Sequence, residues 1–425
     1  MFVIDYFLEY NRFLNLLGIA VILGVAGLFS RNRKAIDVRL VFTALGMQVL
    51  IAFLALKTSA GQWVLQKLAD MFASLYQAAD VGIHFVFGAL GDTTGPWGCV
   101  FAFKVLPVTI FFGAFMSLLF YMGVIKYLVG GIGFIFRPLL KTSGAETLCA
   151  AANSFLGQTE APLVIRQYLK NLTRSELLVV MVSGMGTLSA VLIAVYGTMG
   201  ISVVHLLAAS VMGVPATILI AKILYPQTEK AETAEGAMIV GTGELPTGNI
   251  FSALFSGTSD GLWLALNVGA MLIAFIALIG LANSLLGWFC GVGTGLFAYF
   301  GSEIQIPCLT FQMIFGWLFS PVAWLLGLTG DEITKVGSLI GTKLVLNELI
   351  AYGQVACAHL SDRALLLATY ALCGFANFSS IGIQIAGIGA LAPDQRHTVA
   401  QLGLLAVLGG TLANLLSAMI VGLLL

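Results

Sequence analysis

The sequence predicts an all-α polytopic membrane protein: eight transmembrane helices plus two re-entrant hairpins, arranged as an inverted repeat. Three observations carry this. Of 425 residues, 59% are hydrophobic and only 9% charged, whereas soluble domains average about a quarter charged. Eight apolar runs are long enough to cross a bilayer. Two further apolar segments are interrupted in the middle by charge and polarity, and they resemble each other in order.

The eight runs lie at roughly 13–29, 40–56, 101–125, 177–199, 202–221, 262–286, 364–391 and 399–424, each near the ~20 apolar residues a spanning helix needs. Short-loop cations set the orientation. Arg31, Arg33, Lys34 and Arg39, then Arg137 and Lys141, then Arg166, Lys170 and Arg174 fall on one face if 128–175 leaves from and returns to it. That face is the cytoplasmic one, with both termini outside. Lys57, Lys67 and Lys335 oppose this reading.

Five regions follow. Residues 1–60 hold the first two spans. Residues 61–100 read as a periplasmic interfacial helix and a loop ending in GDTTGPWG. Residues 101–225 form the first repeat, with its hairpin at 146–169. Residues 226–255 are a polar cytoplasmic linker, and 256–425 form the second repeat, with its hairpin at 331–360.

The repeat is read from matched order. The first half runs Phe136-Arg137-Pro138, Thr142 to Glu146, an apolar arm, Gln158-Thr159-Glu160, a second arm, then Thr173-Arg174-Ser175. The second runs Phe319-Ser320-Pro321, Thr329 to Glu332, an arm, Asn347-Glu348, an arm, then Ser361-Asp362-Arg363. A glycine-rich span with a polar centre follows each: Ser183 to Val191 and Cys373 to Ile381. Three spans per unit make the second copy enter from the opposite face. The arm from Glu146 to Leu156 covers about 16 Å as helix, enough to reach the midplane and too little to cross. Irregular backbone at that depth persists only where protein or a water-filled cavity satisfies it.

Carboxylates near the bilayer centre cost roughly 2.5–3.5 kcal/mol on insertion scales, so Glu160 and Glu348 are candidate functional groups. The bland alternatives are a helix-capping or Arg166-paired Glu160 and an exposed loop Glu348. Thr187, Ser189, Asn377, Ser379 and Ser380 sit beside glycines, suggesting helices that unwind within the membrane. Close packing through small residues, with hydroxyls bonded to their own helix, is the alternative there. Cys99, Cys149, Cys290, Cys308, Cys357 and Cys373 are scattered and suggest neither disulfides nor a metal site. His84, His205, His359 and His397 share no spacing. The lack of HExxH, P-loop and Ser/His pairing argues against an enzyme, and zero net charge argues against a nucleic-acid partner.

G-Q-T-E-A-P at 157–162, N-E-x-x-A-Y at 347–352 and C-G-F-A-N-x-S-S-I at 373–381 together resemble the concentrative nucleoside transporter family. The resemblance extends over nearly the whole chain, including LALNVGAMLIAFI at 264–276 and GWLFSP at 316–321. It implies a sodium-coupled symporter in a bacterial inner membrane: a lipid-embedded homotrimer importing a uridine-like nucleoside by an elevator motion. Spans one, two, three and six would form the scaffold domain, and the hairpins with spans four, five, seven and eight the transport domain. Gln158, Thr159 and Glu160 would read the nucleobase. Glu348, Asn377 and Ser380 would hold the ribose, with Leu192, Leu264 and Phe375 lining the pocket. Sodium would take the side chains of Asn153 and Thr187 and the carbonyls of Leu156 and Leu188, with no organic cofactor. Proton coupling through Glu160 or Glu348, and a passive pore, are the alternatives.

Overall fold

The computed structural model describes residues 9–91, 100–233, 249–299, 309–355 and 357–425. Most of the loop ending in GDTTGPWG and the centre of the polar linker lie outside these residues. The described residues contain helices and no strand. Each of the eight apolar runs is helical, and two are broken in the middle.

The first half comprises α1 (Arg12–Leu28), α2 (Val38–Lys57), α3 (Ser59–Phe87), α4 (Val108–Tyr121, preceded by the turn Phe101–Lys104) and α5 (Val124–Leu140). The first hairpin follows. Its outgoing arm is α6 (Gly144–Asn153), and its return is a 3-10 turn at Ala161–Ile165 running into the short helix Arg166–Leu169. Pro162, lacking an N–H, suits the first turn of that return. Next come α7 (Arg174–Gly186), α8 (Ala190–Thr198) and α9 (Val203–Leu224). The second half holds α10 (Ile250–Tyr299), α11 (Phe311–Leu325), the second hairpin of α12 (Glu332–Val345) and α13 (Glu348–Val355), then α14 (Asp362–Leu372), α15 (Phe378–Leu391) and α16 (Arg396–Leu424).

In each interrupted segment the two short helical arms pack against each other. The first arm is shorter than its sequence reading: helix ends at Asn153, and residues 154–160 form the turn. The segment expected to be an interfacial helix over 60 onward is one continuous 29-residue helix, α3, capped by Thr58, whose hydroxyl accepts from the Gly61 amide. Lys104 reaches back to its Asp80 at 2.7 Å.

The centre is a bundle of α7, α9 and α16, packed against one another and against α14. α1 and α2 cover its outer side through polar locks: Arg12 donates to the Leu425 carbonyl at 2.8 Å, and Gln48 to Ser417 Oγ at 3.0 Å. α4 packs lengthwise on α10. A Cβ at Gly113 would stand 2.5 Å from the Gly257 carbonyl, so only glycine permits this approach. Thr109 and Ser117 close the seam by donating to the carbonyls of Gly261 (3.1 Å) and Ala253 (2.7 Å).

The base of the first hairpin is tied to this bundle by charge. Ser143 and Thr173 each begin a capping box, with Glu146 and Glu176 returning the bond. Ser143 Oγ also donates to Glu176 at 2.6 Å, and buried Lys222 on α9 pairs with Glu146 at 2.7 Å. Removing one partner of a buried pair strands the other. Lys222→Met should therefore destabilise the protein by about 3–5 kcal/mol, measured as a lower thermal midpoint in detergent. An unchanged midpoint would contradict this role.

Candidate functional site

Two broken helices and two hairpin tips meet in the middle of the bundle. α7 stops at Gly186, Thr187 is extended (φ −129°, ψ 171°), and Ser189 caps α8 by accepting from the Leu192 amide. α14 stops at Leu372, and Asn377 caps α15 by accepting from the Ser380 amide at 2.9 Å. Between them, a Cβ at Gly374 would lie 2.6 Å from Asn414 Oδ1, so the second break passes α16 only because that residue is glycine. The hydroxyl and amide groups noted in the sequence therefore mark real interruptions. They free carbonyl and N–H groups that an intact helix would pair internally.

At the second tip, Asn347 caps α13 by accepting from the Ile350 amide at 2.9 Å. Glu348 is buried, with 4% of its surface exposed, which removes the exposed-loop reading. Its carboxylate accepts from the Tyr196 hydroxyl at 3.0 Å and from Asn377 Nδ2 at 3.2 Å. One residue from each broken helix thus points at one carboxylate. Tyr352 is buried too, its ring centroid 4.6 Å from that of Tyr196.

At the first tip, Gln158 is buried while Thr159 and Glu160 are exposed. Gln158 Nε2 donates to Ser380 Oγ at 3.2 Å, and its Oε1 accepts from Gln384 Nε2 at 3.2 Å. Thr159 packs against Gly387 of α15. Glu160 accepts from the Gly157 amide at 3.3 Å within the turn, and its side chain does not cap the return helix that it precedes. Asp260 of α10 lies within electrostatic range of Glu160. Leu192 is buried at the start of α8, while Leu264 and Phe375 are half-buried at the edge of the core.

Behind the first tip lies a cluster of oxygens. Thr187 Oγ1 is 2.7 Å from the Asn153 carbonyl and 2.8 Å from the Ser183 carbonyl. One hydroxyl hydrogen can serve only one of them. Asn153 spends its Nδ2 on Ser183 Oγ at 2.9 Å, leaving its buried Oδ1 without a hydrogen-bond partner. Ser210 of α9 donates to the Ser154 carbonyl at 2.8 Å and lies 3.5 Å from that of Leu188. Oxygens crowded together with too few hydrogens suit a small hard cation. Leu156 is buried one turn on.

The structure therefore brings Gln158, Asn377, Ser380 and Glu348 into one connected set and places Asn153 beside Thr187. Sequence reasoning missed Tyr196, Gln384 and Ser183. Gln384 carried a signal: an amide in an apolar helix, four residues after Ser380. Ser183 sits one turn before Thr187 and could have been found the same way. Tyr196 carried none, since nothing in the sequence sets it apart from the other aromatics of the apolar spans.

The family model for the C-terminus of the Na+ dependent nucleoside transporter matches residues 205–422, that for its N-terminus matches 17–90, and a nucleoside-recognition Gate model matches 102–202. An uncharacterized transporter of Haemophilus influenzae is 45% identical, over 96% of this chain and 97% of its own. The nucleoside permease NupC of Helicobacter pylori is 38% identical over 97% and 98%. The structure of CNTnw in an inward-facing substrate-bound state aligns with a TM-score of 0.87 at 39% identity, covering 97% of each chain. A variant of CNTnw in an outward-facing state aligns with a TM-score of 0.88 over 97% of each. With a polar centre framed by two hairpins and two broken helices in a multi-pass chain, and relatives that are transporters rather than enzymes, the chain belongs to the concentrative nucleoside transporter family and moves nucleosides by alternating access.

Proposed function

We propose that this protein is a sodium-coupled symporter that concentrates nucleosides in the cell across a bacterial inner membrane. The observation that carries the substrate reading is the Glu348 carboxylate, held by Tyr196 and Asn377. An ionised carboxylate that still has lone pairs to offer is a strong acceptor for a ribose diol. Asn377 and Ser380 lie beside it as further ribose partners. Gln158, Thr159 and Glu160 offer the mixed donors and acceptors that a uracil-like edge requires, with Leu192, Leu264 and Phe375 as the apolar walls. Gln158 is tied to Ser380 and Gln384 in this structure, so a bound base would exchange those bonds for its own.

The sodium reading rests on Asn153 Oδ1 and on the hydrogen-poor oxygens around Thr187. Asn153 and Thr187 would supply side-chain oxygens, and Leu156 and Leu188 carbonyls. Because the ion cluster lies directly behind the first tip, sodium would order the tip that reads the base, making nucleoside affinity depend on sodium. Relatives described as sodium/nucleoside cotransporters, 34% identical over 96% of this chain, favour the same coupling.

For the movement we infer an elevator in which both hairpins, α7–α9 and α14–α16 travel against a frame containing α4 and α10. The resemblance adds α1 and α2 to that frame and implies a homotrimer. The 50-residue α10, with Trp263, Ile273 and Trp288 exposed, offers apolar surface for contact with other copies and with lipid. Calorimetric titration of detergent-purified protein with uridine tests the site. Binding in sodium that weakens at least about tenfold in potassium is expected. Equal affinity in both salts would refute sodium coupling.

A further inference from the structure

The duplication extends to single residues. Ser143 and Asp331, Thr173 and Ser361, and Ser189 and Asn377 occupy the N-cap positions of matched helices, and each pair differs by 188 in number, as Glu160 and Glu348 do. In this register the counterpart of Asn377 is Ser189, two residues past Thr187. It assigns Gly341 to Asn153, Ala371 to Ser183, Phe375 to Thr187 and Thr398 to Ser210. The hydroxyl of Ser210 thus has a counterpart, while the polar side chains of Asn153, Ser183 and Thr187 have none in the second half.

Lys343 stands in their place. It is buried, with 2% of its surface exposed. Its Nζ donates to the Ala371 carbonyl at 3.0 Å, the counterpart of the Ser183 carbonyl that Thr187 approaches, and to Asn414 Oδ1 at 2.6 Å. Asn414 Nδ2 in turn holds the carbonyls of Gly186 (2.7 Å) and Cys373 (2.5 Å), one at each helix break. An ammonium ion and a sodium ion carry the same charge, and both are stabilised by carbonyls at the negative end of a helix such as α14. Glu348, within electrostatic range, supplies a countercharge.

We propose that the Lys343 ammonium is a tethered cation filling the second half's counterpart of the sodium position, so that a single mobile sodium accompanies each nucleoside. A charge fixed to the chain returns with the moving domain and adds nothing to net transport. This rests on the sodium-symport reading above.

Proteoliposomes containing the full chain test it by the charge moved per labelled uridine at the reversal potential. The wild type should move a single positive charge. Lys343→Ser, which vacates the position and adds a hydroxyl, should admit a second sodium and raise the Hill coefficient from about 1 towards 2. Lys343→Met, which fills the space without charge, should weaken uridine binding at saturating sodium at least about tenfold, while Lys343→Arg should retain more of it. Wild-type sodium activation and uridine affinity in both the Ser and Met variants would overturn the proposal. Two charges per uridine in the wild type would overturn it whether or not the variants fold, leaving symport intact. Uptake indifferent to sodium would overturn both readings.

Discussion

Glu348→Gln should weaken ribonucleoside binding roughly 100-fold, because the two charge-assisted bonds proposed for the ribose diol would become neutral ones. The substitution keeps the shape of the side chain and can still accept from Tyr196, but its new NH2 group faces the Nδ2 of Asn377, which now donates to the carboxylate at 3.2 Å. Two donors then oppose each other in a buried site, and the cap of α15 is disturbed with them. Loss should be largest for nucleosides bearing both ribose hydroxyls and smaller for deoxy analogues, since a site built around a diol discriminates through the polar groups it leaves unpaired. Uridine and deoxyuridine binding measured on the same preparations reads this directly. An unchanged ratio of affinities would remove Glu348 from the ribose site.

Asn153→Ala should raise the sodium concentration needed for half-maximal uridine binding about tenfold or more, with binding at saturating sodium largely recovered. The physical reason is the buried Oδ1 of Asn153, which has no hydrogen-bond partner, beside a Thr187 hydroxyl that cannot satisfy both neighbouring carbonyls. An orphaned buried acceptor costs about 1–3 kcal/mol, a cost that a bound cation relieves. A substitution in the base or ribose set should instead lower affinity at every sodium concentration. The two patterns separate in a sodium titration of uridine binding followed by calorimetry. If the sodium dependence of Asn153→Ala matched the wild type, the oxygen cluster would not be the coupling site.

Much of this arrangement was legible because membranes restrict what a sequence can do. Apolar runs mark helices, and a polar interruption in such a run must have a reason. Glu160, Glu348 and the glycine-rich centres therefore stood out, and the breaks at Thr187 and at Cys373–Asn377 lie where those centres were. The contacts of Glu348 were not legible, since Tyr196 is 152 residues away and looks like any other aromatic in an apolar helix. Lys343 and Asn414 are 71 residues apart, and neither one's flanking sequence signals their contact. Their meaning needed the register of the repeat, which the helix caps and the Glu160–Glu348 spacing supply together.

The most direct measurement is uptake of labelled uridine by proteoliposomes under an imposed ion gradient. An inward sodium gradient should drive internal uridine above the external concentration, and the accumulation should collapse when sodium is equal on both sides, even with an inward proton gradient. Uptake that only equilibrates would make the protein a passive route. Equal accumulation from the proton gradient alone would contradict sodium coupling.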